Sequence, residues 1–159
     1  MFDRLISFLK QLPGVPSSPD QTQEEDPRLA AAALMFYVID ADGVRLDVER
    51  KALREAWTRA YGLSGRELDQ FLDKAEEMQR RSVDLYAFTS VLKRHLDEKA
   101  RIEFIGLMWE IVFADGEMSE LEDNVVWRVA ELIGVDRRDR IAMRRRADPA
   151  RDDESDPLT

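Results

Sequence analysis

The sequence contains no cysteine and one histidine, His95. Structural zinc sites of the Cys/His type, thiol chemistry and disulfide-built secreted folds are therefore excluded. Long hydrophobic runs are also missing. The longest, Leu29 to Ile39, covers eleven residues, against the roughly 20 that a membrane-spanning helix needs. The opening residues MFDRLISFLKQL carry Asp3 and Lys10, and no small-residue cleavage pattern follows them, so the reading is of a chain without a secretory signal, expected in the cytoplasm. Positive charge is the minority sign: 24 Lys and Arg stand against 33 Asp and Glu, a formal net charge of -9. That balance argues against a protein that coats nucleic acid through its overall charge. Neither a P-loop nor a dinucleotide fingerprint occurs, and no nucleophile stands out with a partner base. Ser64, Ser82 and Ser119 are better explained as helix caps, and the expectation is that the chain is not an enzyme.

What is present suits one helical domain. Of the 159 residues 44% are hydrophobic and 36% charged, enough for a packed core under a highly charged surface. Met1, Phe2, Leu5, Ile6, Leu9 and Leu12 recur at three- and four-residue steps, predicting a short amphipathic helix over residues 1–12. Residues 13–26 are rich in proline and polar residues and read as a linker. Asp26-Pro27 has the signature of an N-cap followed by a first helical residue. The almost wholly apolar stretch after it must be enclosed by other helices. Asp40-Ala41-Asp42-Gly43 stops that helix with turn chemistry. Amphipathic segments follow, carrying Val48 to Ala60, Leu68 to Met78, Leu85 to Leu96, Ile102 to Val112 and Leu121 to Ile133. Breaks fall at Gly62, Ser82 to Asp84, Asp97, Asp115-Gly116 and Gly134. A last, arginine-rich helix runs to Ala147, and residues 148–159 form an acidic tail that reads as disordered. No segment alternates as a strand does, so the fold class is all-α.

An internal repeat organises these helices. Shifting the chain by 73 residues lays Leu34-Met35-Phe36 on Leu107-Met108-Trp109, Ala41-Asp42-Gly43 on Ala114-Asp115-Gly116 and Glu49 on Glu122; one deletion later, Gly62 falls on Gly134. The matched unit is a buried helix, an acidic corner and an amphipathic helix, in the same order twice. The expectation is a bundle of about seven helices in two pseudo-symmetric repeats over residues 27–147, with the short N-terminal helix in addition, and with both acidic corners emerging near one another.

An apolar helix ending in Ala-Asp-Gly, with a glutamate six residues beyond the glycine and the whole pattern doubled, resembles the tellurite-resistance TerB-like family. The resemblance covers residues 26–147 and rests on Ala41-Asp42-Gly43 with Glu49 and Ala114-Asp115-Gly116 with Glu122. It implies a compact helical bundle whose acidic turns hold metal ions, acting in stress-linked assemblies near the inner membrane, without established catalysis. Protein partners and peripheral contact with that membrane follow as expectations, and a homodimer is a further one.

The candidate metal ligands are Asp40, Asp42, Glu49, Asp115 and Glu122. Hard cations such as calcium or magnesium take several oxygen ligands, and a carboxylate on a tight turn can converge with another at the next helix start. With Gly43 as the sixth position of an EF-hand loop, Asp40, Asp42 and Glu49 fall at the third, fifth and twelfth. Val38 and Ile111 occupy the first position, however, and Phe113 replaces Asp40 in the second half, so neither loop is a proper EF-hand. The competing explanation needs no metal: Asp-Gly is ordinary turn chemistry, and Ser119 with Glu122 makes a capping box. Leu46 stands where Ser119 does, which leaves Glu49 the freer carboxylate.

Arg137, Arg138, Arg140, Arg144, Arg145 and Arg146 form a candidate surface for an anion or an acidic partner, partly masked by the tail; the alternative is a solvated helix whose arginines pair with the acidic body. The absence of interleaved aromatics argues against specific nucleic-acid recognition. Leu5, Ile6, Phe8 and Leu9 form a candidate membrane or partner face on the leading helix, set against docking on its own domain or on a second copy. His95 reads as a surface or boundary residue, and Trp57, Trp109 and Trp127 as core.

Overall fold

The structure, a computed structural model, describes residues 3–11, 26–41, 47–62, 65–81, 85–113 and 120–148; side chains at 3–5, 47–49 and 61 lie outside that description. Eight helices occur in the order α1 (Asp3–Gln11), α2 (Pro27–Ile39), α3 (Asp47–Tyr61), α4 (Gly65–Arg81), α5 (Tyr86–His95), α6 (Glu98–Val112), α7 (Glu120–Ile133) and α8 (Arg137–Ala147), with no strand among the described residues. The all-α expectation holds.

Local chemistry sets several helix ends. Asp26 caps α2 by accepting the Arg28 backbone N–H at 2.8 Å, with Pro27 in the first turn, where its missing N–H is not needed. Asp97 caps α6 in the same way, accepting from the Ala100 backbone N–H at 2.8 Å. At the end of α7, Gly134 takes φ +83°, its N–H donates to Glu131 O at 3.2 Å, and Val135 N–H donates to Ala130 O at 2.9 Å. This pair of bonds is a Schellman motif, which needs a left-handed residue at Gly134. The start of α5 is less conventional: Leu85 is the N-cap and makes no side-chain cap bond. Ser82, the cap expected there from the sequence, lies outside the described residues, as do Ser64 and Ser119.

The two apolar helices are central. In α2 every residue from Leu29 to Ile39 except Tyr37 is buried, and in α6 all from Phe104 to Val112 except Glu110 are. Such all-round burial requires neighbours on every side. The two helices pack on each other; α2 carries α4 and α5, and α6 carries α7 and α8. Further contacts join α3 to α6 and α2 to α7. Trp57 and Trp109 are fully buried and Trp127 half-buried, with the Trp109 and Trp127 rings edge to face at 5.4 Å.

The leading helix belongs to this core. α1 packs on α3 and α6; Leu9 is completely buried, Phe8 nearly so, and the Phe8 ring lies 5.8 Å from that of Phe104. Ile6 packs partly buried against the same cluster, and the Leu5 side chain lies outside the description. The apolar face considered for a membrane or partner is thus turned inward at Phe8 and Leu9, onto its own bundle. No helix among the described residues is long and apolar enough to cross a membrane.

Candidate functional site

Both acidic corners follow central helices, and each spans seven residues: 40–46 between α2 and α3, and 113–119 between α6 and α7. Glu49 is the third residue of α3 and Glu122 the third residue of α7, so the two glutamates share a backbone position. Asp40 is the C-cap of α2, its N–H donating to Phe36 O at 2.9 Å. Its carboxylate is half-buried, with Oδ1 shielded from solvent. Glu122 is buried to 1% exposure in the first turn of α7, beside Glu120 and Asp123. Acids there interact favourably with the positive end of the helix. Asp42, Asp115 and the Glu49 side chain lie outside the described residues. Among the described residues no three His, Asp or Glu side chains gather in a way that would hold a metal ion.

The six arginines of α8 divide into two sets. Arg140 donates through Nε to Val135 O at 2.7 Å and lies over the Trp127 ring at 5.9 Å. Arg144 donates through Nε to Asp123 Oδ1 at 2.9 Å and lies 5.9 Å over Phe113. Arg146 forms a two-pronged pair with Glu103, both bonds at 3.2 Å. These three fasten α8 to the bundle. Arg137, Arg138 and Arg145 are exposed. They share one face with Ile141, which is 42% exposed, because steps of three, four and seven residues return to the same side of a helix.

Several structural polar residues were not singled out from the sequence. Asp123 Oδ1 accepts from the indole Nε1 of buried Trp109 at 3.0 Å as well as from Arg144. Glu76, 5% exposed, lies between Arg50 at 3.4 Å and Arg80 at 3.3 Å. Gly106 lets α8 approach α6 closely: a Cβ there would collide with the Arg146 guanidinium and sit 3.0 Å from Met143 Sδ. A glycine inside an apolar helix was the available sequence signal for this last contact. Asp123 and Glu76 offered none, since acids at exposed helical positions look the same.

Between α7 and α8 lies a cleft of about 280 Å3, lined by Asp123, Trp127, Ile141, Arg144, Arg145 and Asp148. A second, of about 540 Å3, lies between α1 and the start of α6, with Ser7, Phe8, Gln11, Asp97, Lys99, Ala100 and Glu103 around it.

With this geometry established, the family model for tellurite resistance protein TerB matches residues 28–145. The chain belongs to the TerB family. No curated protein and no solved structure matched it significantly. The TerB match runs from the first turn of α2 into the last turn of α8, so it takes in both acidic corners and leaves α1 outside. The TerB domain is not a known enzyme family.

Proposed function

We propose that this TerB-family chain is a non-enzymatic binding module for a divalent cation of the calcium or magnesium type, held at its acidic corners. The setting is a stress response of the kind denoted by the family's description, tellurite resistance, in an assembly close to the inner membrane. The observation that carries the cation reading is the pair of equally long acidic corners, each followed by a glutamate at the third residue of the next helix, the spacing at which a turn carboxylate and a helix-start carboxylate can converge on one hard cation. Helix ends add to the argument. The last turns of α2 and α6 contain no basic residue, and Asp40 adds a carboxylate at the negative end of α2, where a cation is favoured.

The doubled arrangement is supported by the packing. α2 lies on α4 as α6 lies on α8, α3 touches α6 as α7 touches α2, and the corners are equally long. In the same correspondence α1 takes the place of α5, since α1 packs on α3 and α6 while α5 packs on α7 and α2.

A melting titration after chelator treatment tests the proposal. An ion at 100 times its dissociation constant that binds only the folded state adds about 2.7 kcal/mol, roughly 5 to 10 °C in a chain of this size. Wild type is expected to show that rise with calcium or magnesium, and Glu49→Gln and Glu122→Gln to lose most of it. Equal, negligible shifts in all three proteins would remove the cation. The second reading is an adaptor without metal, favoured by the exposed arginine face of α8.

A further inference from the structure

The exposed face of α8 joins a charged stripe to a mixed cleft in which Trp127 and Ile141 stand among Asp123, Arg144, Arg145 and Asp148. Arg137, Arg138 and Arg145 are exposed and enter no ion pair among the described residues. Ile141 stands between them and also lines the cleft beside Trp127. Arg144, in the same cleft, is already engaged by Asp123. An unpaired arginine fork matches a carboxylate in a bidentate way, so the stripe suits a row of acids in an extended peptide, with Trp127 and Ile141 offering apolar contact beside it.

We infer that the Arg137, Arg138, Ile141 and Arg145 face is a docking surface for an acidic peptide, and that the residues following Asp148 in this chain occupy it. Those residues read Pro-Ala-Arg-Asp-Asp-Glu-Ser-Asp, with acids at Asp152, Asp153, Glu154 and Asp156. Three features select this occupant. Asp148 lines the cleft itself, so the segment starts at the surface it would cover. Pro149 and Ala150 come next in the sequence, uncharged residues of a kind suited to Trp127 and Ile141. The lengths also agree. Arg137 lies about 16 Å back along α8 from Asp148 at 1.5 Å per helical residue, and an extended chain covers that in about five residues, which brings Asp152 to Glu154 onto the stripe. Tethering gives the segment an effective concentration on the order of millimolar. An anionic bilayer is the poorer fit, because the chain as a whole carries -9 and the stripe is only one helix face wide. This inference is independent of the cation reading and does not involve the acidic corners.

The test uses the full chain and a fluorescent peptide with the sequence of residues 149–159. The comparison is wild type against a variant carrying Asp152→Asn, Asp153→Asn, Glu154→Gln and Asp156→Asn. Fluorescence anisotropy at low salt is expected to show the peptide binding the neutralised-tail variant at least tenfold more tightly than wild type, whose own segment competes. The advantage should shrink as salt rises through the range where the Debye length falls to about 8 Å. Adding Arg137→Ala, Arg138→Ala and Arg145→Ala to that variant should abolish binding with an unchanged circular dichroism spectrum, and Lys at the same positions should retain part of it. Equal peptide affinity in wild type and the neutralised-tail variant would overturn the inference. So would binding that survives the three alanines, or a neutralised-tail variant that binds vesicles of mixed phosphatidylcholine and phosphatidylserine but not the peptide.

Discussion

Replacing Asp123 with alanine isolates the polar contact that ties three helices of the second half together. One carboxylate oxygen receives the Trp109 indole N–H at 3.0 Å and the Arg144 Nε–H at 2.9 Å, so it links α6, α7 and α8. Trp109 is fully buried, and without Asp123 its N–H has lost its partner in a place water does not reach, a cost of about 1–3 kcal/mol. The Arg144 pair adds less, because the two side chains are 32% and 19% exposed; solvent screening holds its share to about 0.5–1 kcal/mol. The sum is roughly 2–4 kcal/mol, a fall in Tm of about 5 to 12 °C for a chain this long. Thermal and urea unfolding followed by circular dichroism would measure it. Trp109→Phe provides the internal control, since phenylalanine has no N–H to orphan and is the residue at the matching position, Phe36. In that background Asp123→Ala should cost only about 1 kcal/mol, giving a coupling of about 1–3 kcal/mol in the double-mutant cycle. Asp123→Asn, which keeps an acceptor oxygen, should cost less than alanine. Additive effects of Asp123→Ala and Trp109→Phe, or a Tm change within 1 °C (about 0.3–0.5 kcal/mol at this size) for Asp123→Ala alone, would refute the assignment of the energy to the indole bond.

Leu9→Ala should destabilise the protein near the lower end of the roughly 2–5 kcal/mol typical of a buried leucine, because a nine-residue helix can undock without unfolding the bundle; a urea-unfolding loss under about 0.5 kcal/mol would show that α1 is not docked in solution. Gly134→Ala should cost about 1–2 kcal/mol through its positive φ alone, since an added Cβ finds only ordinary contacts at 3.6 and 3.8 Å; an unchanged Tm would contradict the left-handed cap. Gly106→Ala sets a helix-propensity gain of about 1 kcal/mol against displacement of Arg146 from Glu103. It should therefore be neutral or destabilising in wild type and less harmful, or stabilising, with Arg146→Ala, as read from paired melting curves.

The helical character of this protein follows from its sequence. Apolar residues at three- and four-residue steps, Asp-Pro at residues 26–27 and glycines at 62 and 134 fix which segments coil and where several stop, because hydrogen bonding and backbone sterics within a turn decide those matters locally. The apolar stretch at Leu29 to Ile39 and its match at Leu107 to Val112 likewise announced central helices. What a side chain on an amphipathic segment faces is a different question, answered by its neighbours. Phe8 and Leu9 have the same hydrophobicity whether they meet lipid, a second copy or α3 and α6, and only the packed bundle put them inside. The six arginines of α8 are alike in charge, yet rotation of that helix about its own axis sent Arg140, Arg144 and Arg146 to a carbonyl, Asp123 and Glu103 and left Arg137, Arg138 and Arg145 in water. Periodicity gives a helix its faces; the tertiary structure decides which face meets which partner, because contacts between residues distant in sequence depend on how the helices are placed against one another.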